Sequence, residues 1–226
     1  MKTLLKLVLA CAAALTWAHA AAAGEISAAE QALFVNNHLN ALKPSTTLHY
    51  RFRKSGSLEP GFDDKAAIAL LAQPDGKCCA AAAEFLSGPR RIALPEIEAA
   101  QGNPVILYFL ERDIREMERL TKGKANYFRK RIRIAVAEAA TIRDVTLPFE
   151  GRSVSAKEIA ITPYADDPLR ARFEQLINKR YVFTLSDAVP GGVLSIRTQI
   201  DAATAGTPPL LAEEMALERQ APTVKP

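Results

Sequence analysis

The chain has 226 residues, a formal net charge of +4 at pH 7, and 49% hydrophobic residues. That length suits one domain with a sizeable core. Loss of an N-terminal leader containing Lys2 and Lys6 lowers the charge from +4 to +2. So small a charge excludes the domain-wide basic excess typical of nucleic-acid binders, and any anion site must come from local clustering.

The first twenty residues are typical of a secretory signal peptide. Two lysines precede an apolar centre, and residues 18–20 read Ala-His-Ala, a small-x-small cleavage pattern. We expect cleavage after Ala20 or Ala23, export to the periplasm, and no transmembrane segment in the mature chain. The alternative is a lipobox ending at Cys11, although only four apolar residues separate it from Lys6, against the roughly 7 to 15 of a usual signal core.

The cysteines predict no metal site and no disulfide framework. Beyond the leader, the sequence keeps only the adjacent thiol pair Cys78 and Cys79, whereas a structural zinc site needs about four Cys, His or carboxylate ligands at set spacings. In a strand the two side chains point to opposite faces, so one thiol is buried and the other exposed. We interpret them as ordinary thiols; the alternative is a vicinal disulfide, which requires a distorted peptide bond. No cofactor is expected.

Residues 24–200 are predicted to form a single α+β domain. Ser27 and Glu30 have the capping-box spacing of a helix that begins near Ala28 and ends before Pro44. Alternation of apolar and polar residues, with turn residues between the runs, predicts antiparallel strands. They are residues 47–56, 62–72, 78–88, 180–186 and 193–200, with a turn at 74–77 and two more strands around the Glu150-Gly151 turn within 145–164. Residues 78–88 also fit a helix, which their alanines favour, but the turn residues on both sides favour the strand.

Two further helices are predicted from a cap followed by proline. The first spans residues 103–123 and carries an apolar stripe that includes Leu107 and Ile114. The second spans residues 166–179, with Asp167 as its cap. Such helices cover something apolar, and the sheet is the surface available to them.

Residues 126–136, NYFRKRIRIAV, fit two periods. Phe128 and Ile132 share a face in a strand and in a helix. The β-branched residues favour a strand, whereas the alanines that follow favour a helix; we interpret the segment as a strand. Residues 201–226 mix proline, alanine and charge, which predicts a mobile C-terminal tail with one short helix.

Arginines recur at every second position in two of the predicted strands, which would give each strand a cationic face. Pairing of those strands would create a basic surface able to bind phosphate or an anionic headgroup, because guanidinium groups bind such anions bidentately. The candidate ligand-binding residues are Arg51, Arg53, Tyr127, Arg129, Arg131 and Arg133. The alternative, which we favour, is a solvated sheet face whose arginines pair with acidic neighbours across strands.

Catalytic motifs are not apparent in the sequence. No nucleophile elbow, zinc-protease or P-loop pattern occurs. The acidic pairs at residues 63–64 and 166–167 could serve a hydrolase, but each lies beside a turn or a helix start, where aspartate is expected for capping. We therefore expect no enzyme activity.

The order of elements carries a resemblance to a known family. The early LHYRFRKSG strand, the central helices and the closing KRYVFTLSDAVPGGVLSIRTQI hairpin resemble uncharacterised proteobacterial periplasmic proteins, and the layout is similar to that of the Lol-type lipoprotein carriers. That resemblance spans residues 48–200. It implies an antiparallel, curved half-barrel sheet with two or three helices packed on one face, and a carrier or binding protein for an acyl chain or lipoprotein. No functional residue is transferred, because the resemblance is one of layout.

Two functional hypotheses follow. The first is a periplasmic binding or accessory protein whose curved sheet accepts an apolar or amphipathic, lipid-like ligand, with arginines near the rim meeting its anionic head. The second is an envelope structural or protein-interaction module with no small-molecule ligand, using a strand edge or the tail to contact a protein. Neither involves nucleic acid.

Overall fold

A computed structural model describes residues 25–73, 78–204 and 206–218. The predicted leader and the predicted turn at 74–77 lie outside the described residues. A short helix at Ala28–Glu30 runs directly into a π turn, Gln31–Val35. The helices are α1 (Ala28–Glu30), α2 (Pro104–Thr121) and α3 (Ala125–Glu138). The strands are β1 (Thr47–Ser55), β2 (Phe62–Ala72), β3 (Cys78–Phe85), β4 (Thr141–Phe149), β5 (Arg152–Ile161), β6 (Arg180–Leu185), β7 (Val193–Ile200) and β8 (Leu211–Leu217).

The eight strands form one open, curled antiparallel sheet in the order β3-β2-β1-β8-β7-β6-β5-β4. The first three strands make a meander and the last five make a second, and β8 pairs with β1 to join them. The connection from β3 to β4 runs through α2 and α3, so the helices cross from one edge strand to the other over one face. This is the α+β architecture that the sequence predicted.

Alternation places the core between the sheet and the helices. On β1, the apolar positions Leu48, Tyr50 and Phe52 are fully buried and the residues between them are exposed. Strands with this pattern bury one face only, which requires a cover on that side. The cover is α2, whose Val105 and Phe109 are fully buried in the same cluster.

Residues 126–136 form most of helix α3, so the predicted strand was wrong. Phe128, Ile132 and Val136 recur every four residues, and all three are buried. A helix presents this set on one side toward α2 and the core. As a strand, the same segment would place Lys130 on its buried face, which carries a large desolvation cost.

The predicted helix over residues 166–179 is instead a pair of short 3₁₀ turns, Arg170–Arg172 and Glu174–Asn178. The buried residues Phe173 and Leu176 are three apart, which matches the repeat of a 3₁₀ helix. Phe173 packs its ring against Tyr164 and Phe128, with centroids 6.1 and 5.7 Å away. This aromatic contact fixes the segment against α3.

The C-terminal region contains a central strand where a mobile tail was expected. Strand β8 lies between β1 and β7 and buries Leu211, Glu213 and Met215 on its inner face. Apolar residues recur at every second position in this segment, but Glu213 interrupts them with a charge on the inner face, so the strand was not predicted. Residues 219–226 lie outside the described residues.

Candidate functional site

A groove of about 990 Å³ runs along one side of α2. Its walls are α2, α3, the N-terminal segment of α1 with its π turn, and the loop of residues 94–103. All of its lining residues come from these segments, so the groove lies on the helical layer and not under the sheet. Its large apolar lining residues are Leu33, Phe34, Leu94, Ile97, Leu107, Leu110, Ile114 and Ile132.

The groove has a buried floor and exposed apolar edges. Leu33, Ile114 and Ile132 are almost fully buried, whereas Leu107 is 51% exposed and Phe34 is 37% exposed. A single exposed apolar side chain is ordinary on a protein surface. Two of them at the edges of an apolar concavity of this volume are typical of a ligand-binding site.

Charged side chains surround the apolar part. Arg129 Nη2 donates to Glu111 Oε1 at 2.7 Å and its Nε donates to Oε2 at 3.1 Å, which joins α3 to α2. Arg115 Nε lies 3.5 Å from Glu111 Oε1. Arg133 also lines the groove, is exposed, and forms no ion pair with any described residue. Glu111 therefore neutralises its two arginine neighbours only in part, and Arg133 has no carboxylate partner in the part of the chain that the structure describes.

Asn103 anchors the end of the groove where α2 begins. Its Oδ1 accepts the Val105 N–H at 3.0 Å as a helix cap. Its buried Nδ2 donates to the Gly191 carbonyl at 2.7 Å and to the Tyr50 hydroxyl at 2.8 Å. Gly191 has φ 71°, and a Cβ there would lie 2.7 Å from Asn103 Nδ2, so glycine is required for this close approach. The cap thus fixes α2 to the sheet.

His38 supports the same turn of α2. Its Nδ1 accepts the Asn103 N–H at 3.1 Å, so in this arrangement its Nε2 carries the proton and donates to the Ala32 carbonyl at 2.8 Å. Burial lowers the pKa of His38 below 6.5, although the Ala32 carbonyl and Asp187 act in the opposite direction. The imidazole is therefore neutral at pH 7, and a second ring proton would oppose the Asn103 N–H.

The opposite side of α2 carries charged residues into the core. Lys179 and Asp113 are both fully buried and form an ion pair. The Tyr181 hydroxyl donates to Asp113 Oδ2 at 2.6 Å. Arg112 Nη1 donates to Glu213 Oε1 on β8 at 2.7 Å. Helix residues thus meet partners on β8 and at the start of β6.

The same set of contacts continues toward β1. Lys54 Nζ donates to Glu116 Oε1 at 2.9 Å and to Glu59 Oε2 at 2.6 Å, and it lies 3.9 Å from Glu213. Arg119 also binds Glu116, with its Nε 2.8 Å from Oε2. We call the six innermost groups the buried ionic network: Lys54, Arg112, Asp113, Glu116, Lys179 and Glu213. Its three cations and three carboxylates balance.

The ion pairs reverse the effect of burial on the carboxylates. Burial raises the pKa of Glu213, but Lys179 and Arg112 outweigh it, so the pKa lies below 4.5. Burial likewise raises the pKa of Glu116, and hydrogen bonds from Arg119 and Lys54 bring it well below 4.5. Both groups are therefore ionised at neutral pH, and the network holds α2 on the sheet through charges.

The predicted basic surface does not form. Arg51 and Arg53 lie on the exposed face of β1, and Arg53 Nε is 2.9 Å from Asp63 Oδ1 on the neighbouring strand. This is the cross-strand pairing favoured from sequence. The other four candidates lie on α3, whose residues step about 100° around the axis. Three arginines two apart therefore cannot share a face.

Two of the α3 candidates reach the groove and two do not. Arg129 and Arg133 line the groove. Arg131 Nε instead lies 2.9 Å from Asp167 Oδ2, and the Tyr127 hydroxyl donates to Asp167 Oδ1 at 2.5 Å. The latter two fix α3 to the segment before β6. Ligand binding by any of the six remains a prediction.

Several residues of the groove were not predicted from the sequence as site residues. Leu107 was assigned to the stripe that packs on the core, yet it lies at the groove edge. Phe34 belongs only to the first predicted helix, with no role in a site, and residues 94–102 have no predicted element. The available signal is the spacing of Glu111 and Arg115, four residues apart with the acid first, which favours an ion pair on an exposed helix face and is present in the structure. It marks one turn of α2 as outward-facing.

Cys79 departs from the interpretation of ordinary thiols. It is fully buried on β3 and disulfide-bonded. The side chain of Cys78 lies outside the described residues, so its predicted exposure is untested.

The described residues bring together no group of three or more His, Cys, Asp and Glu side chains suited to a metal ion. None of the helices in the described ranges combines the length and apolar character needed to span a bilayer.

Comparisons with known proteins give similarities of layout only. No family model and no curated protein matches the chain. Among solved structures, the lipoprotein LppX of Mycobacterium tuberculosis is 9% identical with a TM-score of 0.31, covering 76% of this chain and 85% of that one. A LolA superfamily protein from Nitrosomonas europaea is 8% identical with a TM-score of 0.21, covering 88% and 96%. The expected resemblance to Lol-type carriers is therefore present but weak, and it does not extend to function.

Proposed function

We propose that the chain is an exported, non-enzymatic binding protein for one amphipathic, lipid-like molecule. The apolar part of that molecule lies in the groove beside α2. Its anionic end meets the arginines that line the rim of the groove, Arg115, Arg129 and Arg133. The observation that carries the proposal is the groove itself, about 990 Å³ with Leu107 and Phe34 exposed at its edges. We place the protein in the periplasm, on the pattern of its first twenty residues.

The groove supplies the driving force for an apolar chain. Covering its exposed side chains removes apolar surface from water, which is worth about 25 cal/mol per Å². Leu107 and Phe34 contribute most to that gain because they are the most exposed of its large apolar residues. The buried floor of Ile114 and Ile132 is preformed, so little ordering accompanies binding.

The rim selects the charge of the ligand. Arg133 has no acidic partner among the described residues, so an anion gains a cation without displacing a carboxylate. Arg129 already binds Glu111, and an anion near it must compete with that pair. A ligand with one anionic group fits this distribution better than one with several.

Binding of a fluorescent fatty acid to purified protein tests the proposal, together with native mass spectrometry of protein extracted gently from cells. We expect a bound lipid-sized mass and saturable uptake of the probe. Leu107→Gln should weaken uptake about tenfold, as expected for losing one buried leucine side chain. The matched control is Leu58→Gln, since Leu58 is 42% exposed and does not line the groove. A clean apo mass with no probe uptake contradicts the proposal.

The charge of the probe gives a second, independent test. Arg133→Gln should weaken the fatty acid and leave an uncharged alcohol of equal chain length unaffected. Lys65→Gln serves as the control, because Lys65 is an exposed cation on β2. Equal loss for both probes would contradict the assignment of Arg133 to the anionic end.

A second candidate, an envelope interaction module without a small-molecule ligand, is favoured by one observation. Strand β4 ends the sheet and, within the described part of the chain, pairs with β5 alone. At the other edge, residues 92–97 cover β3, with the Ala81 and Ile97 backbones bonded in both directions. An uncovered edge can take up a strand from a partner. Crosslinking in cells separates the candidates: a lipid-free protein always joined to one envelope protein supports this one.

A further inference from the structure

The helical side of the molecule carries apolar side chains that the core does not use. Phe34 and Leu107 stand at opposite segments of the groove wall, on the π turn and on α2. Ile26, at 56% exposure, lies on the segment before α1, where the Ser27 hydroxyl donates to the Val136 carbonyl of α3. Side chains of this size, separated from one another around an opening, do not form the flat continuous patch of a protein interface.

Unpaired cations accompany these side chains. Lys130 and Arg133 are three residues apart on α3, so they share its outward side. Both are exposed, and neither forms an ion pair with any described residue. The nearest groove carboxylates are engaged, because Glu111 binds arginines and Glu30 accepts the Ser27 N–H. An excess of positive charge therefore lies beside the apolar edges.

On part of the outer face of the sheet, side chains of opposite charge lie next to one another. Arg53 lies opposite Asp63 on β2 and opposite Glu214 on β8, and Arg197 on β7 lies opposite the same Glu214. Charges of alternating sign across four strands neutralise one another. Arg51 and Lys65, which lie opposite each other on the same face, are exposed and form no ion pair with any described residue. The helical side differs because its Arg133 lines the same groove as the exposed Leu107 and Phe34.

We propose that the helical side docks on the surface of an anionic lipid bilayer. Phe34 and Leu107 enter the headgroup region, and Lys130 and Arg133 meet lipid phosphates. Apolar side chains flanked by basic ones bind at this interface through buried area and attraction to anionic lipids together. The docking does not depend on an occupied groove, although it would place the groove opening at the membrane, where an amphipathic molecule could enter.

A single-tryptophan reporter tests the insertion. Trp17, the one tryptophan of the sequence, lies in the leader that we expect to be removed, so Leu107→Trp in the processed protein carries one indole at the groove edge. We expect its emission to shift to the blue on vesicles containing phosphatidylglycerol, and to stay constant on phosphatidylcholine alone. Leu58→Trp, likewise in the processed protein, is the control and should not shift on either. Constant emission of Trp at 107 on the anionic vesicles would overturn the proposal.

Co-sedimentation with the same vesicles tests the charges. Lys130→Glu with Arg133→Glu should weaken binding at least tenfold, given about 1 kcal/mol, or about fivefold, for each basic residue near an anionic surface. Lys65→Glu with Lys157→Glu changes the net charge equally, on the sheet, and should weaken binding less than about threefold. Equal losses would mean attraction by net charge alone and would overturn the proposal. Fatty-acid uptake without vesicle binding overturns the docking only, and vesicle binding without uptake overturns the proposed ligand site only.

Discussion

Each of the two sides of helix α2 contains residues that depart from the usual distribution of apolar and charged side chains. Toward the sheet, Arg112 and Asp113 bury their charges in the ionic network, and Glu116 joins them with its side chain 14% exposed. Toward the groove, Leu107 exposes half of its apolar side chain to solvent. A helix that merely covers a sheet would bury only apolar groups, as α2 buries Val105 and Phe109, and would keep its charges outward.

The contrast separates the side of α2 that holds the helix on the sheet from the side that we propose binds a ligand. The network side is satisfied, because each of its cations has a carboxylate partner on another element. Buried ion pairs add little net stability relative to apolar packing, but an incorrect docking of α2 would leave charges unpaired. The groove side, in contrast, leaves apolar side chains at its edges in contact with water. A substitution on one side of α2 therefore tests whether stability and ligand uptake change independently.

The largest effect is expected at the centre of the network. Lys179→Met leaves the fully buried Asp113 carboxylate with the Tyr181 hydroxyl but no cation, which should lower the free energy of unfolding by about 3–5 kcal/mol. Urea titration measures this as a shift in midpoint at constant slope. Lys157→Met removes an exposed pair with Asp144 and should cost about 0–1 kcal/mol.

A double variant decides whether the charges are needed for stability. Asp113→Leu combined with Lys179→Met removes both members of the pair, so no buried charge is left alone. We expect most of the lost stability to return. If the double variant is as unstable as Lys179→Met, the pair contributes net stability, and the proposed role in selecting the position of α2 is wrong.

A variant of Asn103 tests whether the network side and the groove side of α2 both depend on the N-terminal end of the helix. Asn103→Ala removes the helix cap and leaves the Gly191 carbonyl without its donor, which together should cost about 2–4 kcal/mol. Because Asn103 also lines the groove, uptake of the fluorescent fatty acid should fall as well. Asn126→Ala on α3 affects only an exposed contact with Arg129 and should stay within about 0.5 kcal/mol.

The sequence was informative wherever one period and one cap agreed. Strand β1 alternates between apolar and polar residues from Leu48 to Arg53, and Asn103-Pro104 marks the start of α2, so both were predicted. The sequence was ambiguous at residues 126–136, because Phe128 and Ile132 share a face at either period. Only the partner surface, α2, decides between them, and that surface is a tertiary property.

The groove and β8 were missed for a related reason. Both depend on residues that contradict local polarity rules: Glu213 is a charge on a buried strand face, and Leu107 is an apolar residue on an exposed helix face. Local patterns assign Glu213 to solvent and Leu107 to the core. The position of Glu213 follows from its partners Arg112 and Lys179, which are distant from it in sequence.

A smaller effect is expected from pH, through His38. Its pKa is lowered in the folded protein, so the unfolded chain binds the proton more tightly. The stability from the neutral ring is therefore complete above about pH 6.5 and is lost as the pH falls toward the folded pKa. Urea titrations from pH 7.5 to 5 should show this loss, and His38→Gln should remove that part of the dependence. An identical dependence in the variant would place the titrating group elsewhere.

The smallest effect on stability is expected at Glu111, and it isolates the groove side. Glu111→Gln breaks partly exposed pairs with Arg115 and Arg129, so unfolding should change by less than about 1 kcal/mol. Both guanidinium groups then lack a carboxylate partner on α2, and uptake of the fluorescent fatty acid should strengthen several-fold. Glu118→Gln, on the same helix but outside the groove lining, should change neither quantity. Strong destabilisation by Glu111→Gln would show that the groove side holds the fold together as the network does, and the contrast between the two sides of α2 would be lost.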